Sequence, residues 1–247
     1  MKIVLATPQL TLDQPAVNLL AILKACQEAH GAGADLVLFG EAALQGFEAM
    51  TFDYQHDIPL AVGLSSPEIA CLCQTAKDLS LAIGVGLYLN IQGGIFSAYL
   101  VIDKEGQQLA LYKRISSGWL EAKALTNADY RMGREAIIFE LEGKTFTIML
   151  CGDYWEDDLL PLWVELDDQV DAFIWPVHCD YSLEEWSSGE RQAYADRTQI
   201  MFKPILFINN YVKDQGRAKG GAYVWLQGHT LAAQEAGQAG LLVWELT

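Results

Sequence analysis

Short runs that are apolar on both faces, such as Phe173-Ile174-Trp175 and Ile205-Leu206-Phe207-Ile208, alternate along this chain with amphipathic, helix-patterned stretches. A strand with no polar face needs cover on both sides, so its sheet must lie inside other layers. Strand-like runs fall at residues 2–7, 35–39, 81–89, 96–103, 108–113, 136–141, 145–150, 171–176, 205–208, 221–226 and 241–246. Helices are expected after Asp13-Gln14-Pro15 as far as Gly31, from Ser65-Ser66-Pro67-Glu68 to about Asp78, and over residues 183–201. Gln92-Gly93-Gly94, Lys104-Glu105-Gly106 and Glu142-Gly143-Lys144 read as tight turns between neighbouring strands. No repeat, low-complexity tract or linker interrupts the pattern. The expectation is one α/β domain over residues 1–247, with two sheets packed together and helices outside.

A hydrophobic share of 51% over 247 residues supplies one substantial core. The 32 acidic residues outnumber 16 basic ones and give a formal net charge of -16. Such a surface repels phosphate backbones and anionic lipid, which argues against nucleic-acid and membrane partners. The apolar stretch near residues 81–91 is broken by Gly84 and Gly86 and is too short to span a bilayer. Residues 2–6 give way at once to Thr7 and Pro8, which does not fit a secretory leader. The cysteines, Cys26, Cys71, Cys73, Cys151 and Cys179, are odd in number, so reduced thiols and a cytoplasmic location are expected. Cys71-Leu72-Cys73 has no matching second pair, and nothing pairs His30, His56 or His229 as ligands. Neither a metal nor a cofactor is expected.

Three strand ends carry polar residues that a buried strand does not need. Glu41 follows the 35–39 run among alanines and leucine, where a shielded carboxylate can accept a proton. A structural glutamate paired with a base fits that sequence too. Lys113 and Arg114 end the 108–113 run, as oxyanion-holding cations or as an ordinary solvated strand end. Cys151 ends the 145–150 run and is followed by Gly152, a spacing that suits a nucleophile on a sharp turn and equally an inert, packed thiol.

In this order, glutamate, lysine and cysteine at three strand ends resemble the nitrilase superfamily of carbon–nitrogen hydrolases. The likeness runs through Gly33-Ala34-Asp35-Leu36-Val37-Leu38-Phe39, Glu41, Gly46-Phe47, Ile102-Asp103-Lys104-Glu105-Gly106, Tyr112-Lys113-Arg114 and Cys151-Gly152-Asp153. It continues through Trp175-Pro176-Val177-His178, Asp196-Arg197-Thr198, Asn209-Asn210, Gly220-Gly221-Ala222 and Gly240-Leu241-Leu242-Val243. The resemblance implies a four-layer α-β-β-α sandwich of two mixed sheets flanked by helices, assembled as a homodimer or higher homo-oligomer. It also implies a metal-free reaction on a small linear amide, of the amidase, ω-amidase or N-carbamoyl type. Glu41 would deprotonate Cys151, and Lys113 with the Gly152 N–H would hold the oxyanion. A thioester would then be hydrolysed. Transfer of the acyl group to an amine, or a binding protein that keeps the fold without turnover, are the alternatives.

Several positions depart from the family pattern. Gly40 stands where proline usually precedes the glutamate. Counted from Tyr112, the family lysine falls on Arg114, although Lys113 is preferred because some members carry both cations. A second active-site glutamate is assigned to Glu121, with Thr126 at that place on the opposite count. Trp155-Glu156-Asp157 replaces the usual phenylalanine-proline-glutamate, and Trp155, Trp175 and His178 are expected around the substrate pocket.

Overall fold

The computed structural model describes residues 1–213 and 217–247. Strands β1 (Lys2–Thr7), β2 (Gln9–Leu10), β3 (Leu36–Leu38), β4 (Ala82–Ile91), β5 (Gly94–Ile102), β6 (Gln108–Lys113) and β7 (Ile138–Leu141) make up the first half. The second half adds β8 (Lys144–Ile148), β9 (Ala172–Val177), β10 (Ile205–Asn209), β11 (Tyr211–Val212), β12 (Ala222–Leu226), β13 (His229–Gln234) and β14 (Gly240–Glu245). One six-stranded sheet has the order β14-β1-β3-β4-β5-β6, and the other has the order β13-β12-β10-β9-β8-β7. Both are mixed. β1, β3 and β4 run parallel, as do β8, β9 and β10, with antiparallel neighbours outside them.

Alternation of side chains across a strand explains the layers. On β1, Ile3 and Leu5 join a core shared with Phe146, Ile148, Ile174 and Leu206 of the second sheet. Val4 and Ala6 point the other way, into a core with helix residues Ile22, Cys26, Ile69 and Leu72. Those belong to α1 (Pro15–Gly31) and, after the short α2 (Tyr54–Asp57), to α3 (Pro67–Leu79). On the far side, α4 (Leu160–Asp167) and the α5 (Leu183–Glu185) to α6 (Arg191–Arg197) segment contribute Trp163, Trp186 and Tyr194 to the core containing the second sheet. The result is the expected α-β-β-α sandwich.

Local chemistry accounts for most boundaries. Ser66 caps α3 by accepting from the Ile69 N–H at 3.4 Å, with Pro67 at its first position. Gln92-Gly93, Glu142-Gly143 and Gln227-Gly228 join hairpins with both residues at positive φ, the twist that two-residue loops need. The helix expected over residues 183–201 is interrupted by a π-helical turn at Trp186–Glu190 and ends in a 3-10 turn at Thr198–Ile200. Its amphipathic pattern carried no mark of the inserted residue. β13 escaped the sequence reading because it is an edge strand, mostly exposed, with no apolar run. Among the described residues no helix is long and apolar enough to cross a membrane.

The chain leaving β3 crosses directly over β4. A Cβ on Gly86 would lie 2.3 Å from the Gly40 carbonyl oxygen, 2.6 Å from the Ala42 nitrogen and 2.7 Å from the Glu41 Cα. All three are backbone atoms, which cannot rotate aside. Gly86→Ala is therefore expected to lower stability by about 1–3 kcal/mol, read from the midpoint of urea denaturation at unchanged slope. An unchanged midpoint would mean that the crossing is looser than described.

Candidate active site

Glu41 stands where the ends of the two parallel strand groups meet. Its N–H donates to the Val177 carbonyl at the end of β9, at 3.2 Å, so one residue joins the two sheets. A Cβ on Gly40 would be 2.3 Å from the Asn210 side-chain oxygen, which explains glycine rather than proline here. Asn210 in turn donates to the Glu41 carbonyl. The Glu41 side chain is 0% exposed. Its Oε1 accepts from the Ser97 hydroxyl at 2.9 Å and from Arg114 Nη1 at 2.8 Å, while Oε2 has no protein hydrogen-bond partner.

Lys113 and Arg114 exit β6 in succession, so only one can face inward. Arg114 does, with its side chain 3% exposed and its Nε donating to the Ser116 hydroxyl at 2.9 Å. Lys113 lies outside, its Nζ 5.2 Å from the Phe96 ring centroid, in a cleft of about 760 Å³ shared with Arg131 and Arg134. The expected site cation is thus corrected from Lys113 to Arg114. Burial opposes the Arg114 charge, but the carboxylates of Glu41 and Asp153 outweigh it and hold the guanidinium protonated. Gly152 fits the same arrangement, because a Cβ there would lie 2.3 Å from Arg114 Nη2.

Beyond β8 the chain turns sharply at Cys151, which has φ 50°, a left-handed conformation that a side chain normally avoids. Such strain persists only where surrounding bonds impose it. Asp153 supplies them: its carboxylate accepts from the Leu150 N–H at 3.1 Å, the Ser116 N–H at 2.7 Å, the Ile115 N–H at 3.1 Å and the Tyr112 hydroxyl at 2.5 Å. One buried carboxylate thereby fixes the cysteine turn against the segment bearing Arg114. Trp175 adds a bond from Nε1 to the Cys151 carbonyl at 2.9 Å. A 3-10 turn, Cys151–Tyr154, follows directly from the cysteine.

Cys151 is half-buried, and its thiol donates to the His178 carbonyl at 3.9 Å. Desolvation pushes its pKa up to about 12, helped by the negative charge of Glu41 and opposed by Arg114. At neutral pH the sulfur is therefore a thiol. It needs a base to become a nucleophile.

Glu121 is exposed and paired with Lys123 at 3.3 Å; it bonds none of Glu41, Arg114 or Cys151 but lines a cavity shared with Glu48 and Trp119. A different carboxylate, Glu48, lies nearer: its Oε1 bonds His178 Nε2 at 2.9 Å. His178 is buried, stacked on Phe47 with centroids 4.8 Å apart, and its Nδ1 lies 3.2 Å from Asn210 Nδ2. Trp175 is fully buried behind the cysteine, while Trp155 is partly exposed and edge-on to Tyr194. Sequence reasoning missed Ser97, Glu48 and the reach of Asn210, since none is near Cys151 in the chain. Among the described residues no group of three or more His, Cys, Asp or Glu side chains is placed to hold a metal ion.

The carbon–nitrogen hydrolase family model matches residues 5–162 of this chain. A curated relative, an aliphatic nitrilase of Rhodococcus rhodochrous, is 22% identical over 170 residues, covering 64% of this chain and 45% of the nitrilase. The chain thus spans about half the length of that relative. Among solved structures, an amidase from Nesterenkonia sp. AN1 superposes with TM-score 0.78 at 17% identity, over 100% of this chain and 93% of that one. That structure carries acrylamide added to the active-site cysteine. A glutamine-dependent NAD+ synthetase from Acinetobacter baumannii gives TM-score 0.78 at 17% identity, over 98% of this chain and 44% of the synthetase.

Removing one member of a buried ion pair leaves the other uncompensated. Arg114→Ala should cost about 3–5 kcal/mol in chemical denaturation, whereas Lys113→Ala should stay within about 0.5 kcal/mol. Equal costs for the two would contradict the placement of Arg114.

Proposed function

The chain belongs to the carbon–nitrogen hydrolase family, in the nitrilase superfamily, and on that footing we propose that it hydrolyses small linear amides through a Cys151 thioester. The observation that carries this reading is a buried carboxylate with one oxygen neutralised by Arg114 and the other unpartnered, beside a protonated thiol. Oε1 is occupied by Arg114 and Ser97, which fixes the plane of the carboxylate. Oε2 is then the oxygen available for proton traffic.

Glu41 takes the thiol proton as the sulfur attacks the amide carbon. The C=O pair moves to oxygen, and the Arg114 guanidinium with the Gly152 N–H at the start of the 3-10 turn stabilises that charge. Glu41 returns its proton to the leaving nitrogen, the C–N bond breaks, and ammonia departs. Water, deprotonated by the same carboxylate, then cleaves the thioester to the acid and free thiol. Arginine in place of lysine keeps its charge at all working pH values, at the cost of a bulkier planar group. The glycines beside it, Gly152 and Gly118, make that room.

Two outcomes test the proposal. A panel of aliphatic amides, N-carbamoyl amino acids and nitriles should release ammonia with at least one linear amide. Cys151→Ala should release none, a loss of more than about 1,000-fold. Release that survives Cys151→Ala would refute the nucleophile. Glu41→Gln should also abolish turnover yet leave Cys151 open to alkylation. The sign of its pH dependence is set by charge: without Glu41, burial alone still opposes the influence of Arg114, so the thiol pKa falls. The midpoint of iodoacetamide reactivity should drop by about one pH unit or more relative to wild type. A midpoint that rises would show that Glu41 does not act on this sulfur.

A further inference from the structure

A cavity of about 410 Å³ lies beside the proposed catalytic groups. Its lining Gly118 would place a Cβ 3.1 Å from Arg114 Nη2, and its lining Phe47 stacks on His178, whose carbonyl accepts the Cys151 thiol. The other walls combine aromatic rings with Met50 and Leu120, two carboxylates, Glu48 and Glu121, and the Arg217 guanidinium. Tyr88 and Trp119 have ring centroids 6.0 Å apart, and Phe52 and Trp119 are 6.3 Å apart.

Two buried polar atoms of residues in this lining have no protein partner, Glu48 Oε2 and Trp119 Nε1. Buried polar groups without partners cost about 1–3 kcal/mol each, so the cavity is built for an occupant with polar groups of its own. An alkyl tail would leave both atoms unpaired.

We propose that this cavity receives the body of the amide substrate and that Glu48 selects amides whose far end carries an ammonium group. The inference rests on the hydrolase reading above, which places the scissile amide at Cys151. Glu48 is held ready for a cation. Asn210 Nδ2 lies 3.2 Å from His178 Nδ1, so that nitrogen accepts, and Nε2 carries the proton that the ring donates to Glu48 Oε1. The carboxylate therefore keeps its negative charge while its orientation is fixed. Arg217 Nη1 stands 3.5 Å from the same Oε1, half-exposed, and leaves Oε2 to the ligand. The aromatic residues that share this lining, Phe47, Phe52, Tyr88 and Trp119, favour a positive charge over a neutral or negative one. A net charge of -16 works in the same direction at longer range. Trp119 Nε1 is left to donate to an acceptor on the same ligand or to a bridging water.

The test uses two isosteric series that differ only at the far end. β-Alaninamide and its longer ω-amino homologues are compared with butyramide and the matching methyl-terminated amides. Binding to the Cys151→Ala protein is measured by calorimetry. The best ω-amino amide should bind about tenfold or more tightly than its methyl isostere, the range expected of a hydrogen bond to a charged group. Glu48→Gln in the same background should bring that ratio close to one. Equal binding in the two series overturns the inference without any change at Glu48. A preference that survives Glu48→Gln overturns it as well. Ammonia release by the wild-type protein separates the two levels: hydrolysis of methyl-terminated amides with no amino preference defeats this inference alone. Binding preference without release from either series defeats the hydrolase reading and leaves the subsite standing.

Discussion

A buried charge pair organises this molecule. Glu41 and Arg114 are taken almost wholly out of water, at 0% and 3% side-chain exposure, and meet at 2.8 Å. Neither is stable there alone, because an isolated buried charge costs several kcal/mol. Their pairing therefore demands that the end of β3 and the end of β6 arrive together, although 73 residues separate them. Asp153 extends the demand to a third strand end by bonding the amides after Arg114 and the amide before Cys151. Polar groups that would be liabilities in a hydrocarbon core are mutually satisfied here, and the site is what satisfies them.

The surrounding backbone is tuned to this meeting. Gly86 lets the Glu41 segment lie on β4, Gly40 lets Asn210 reach the Glu41 carbonyl, and Gly152 lets the guanidinium lie against the cysteine turn. Each glycine stands where an added methyl would strike a group of the site or its support. The left-handed φ of Cys151 belongs with these features. Its strain is held by bonds from Asp153 and Trp175 rather than relieved. Function and local strain coincide, as expected where a sulfur must stand away from its own strand.

Much of this was legible in the chain. Strands apolar on both faces announced a covered double-sheet interior, and Ile3, Val4, Leu5 and Ala6 divide between the two cores as their alternation requires. The order of Glu41, the cation pair and Cys151 pointed to the family. The choice within the pair was not legible, because it depends on which strand face turns inward at the last residue. A count from Tyr112 favoured Arg114, and the pleat decides it. The surroundings of Glu121 were not legible either: the loop that bears it has no periodicity to read, and it sets the carboxylate beside Lys123 on the rim of the cavity that Glu48 lines. Glu48 was invisible since its significance comes only from His178, 130 residues away.

The central claim is that carboxylate, guanidinium and thiol form one covalent-catalysis unit around Cys151. Its most direct test is the intact mass of the protein, quenched in acid within milliseconds of mixing with a slowly processed amide. The account predicts a transient adduct equal to the acyl group less one hydrogen, located on the Cys151 peptide and absent from Cys151→Ala. Steady release of ammonia with no adduct at any quench time, or an adduct on another residue, would contradict it.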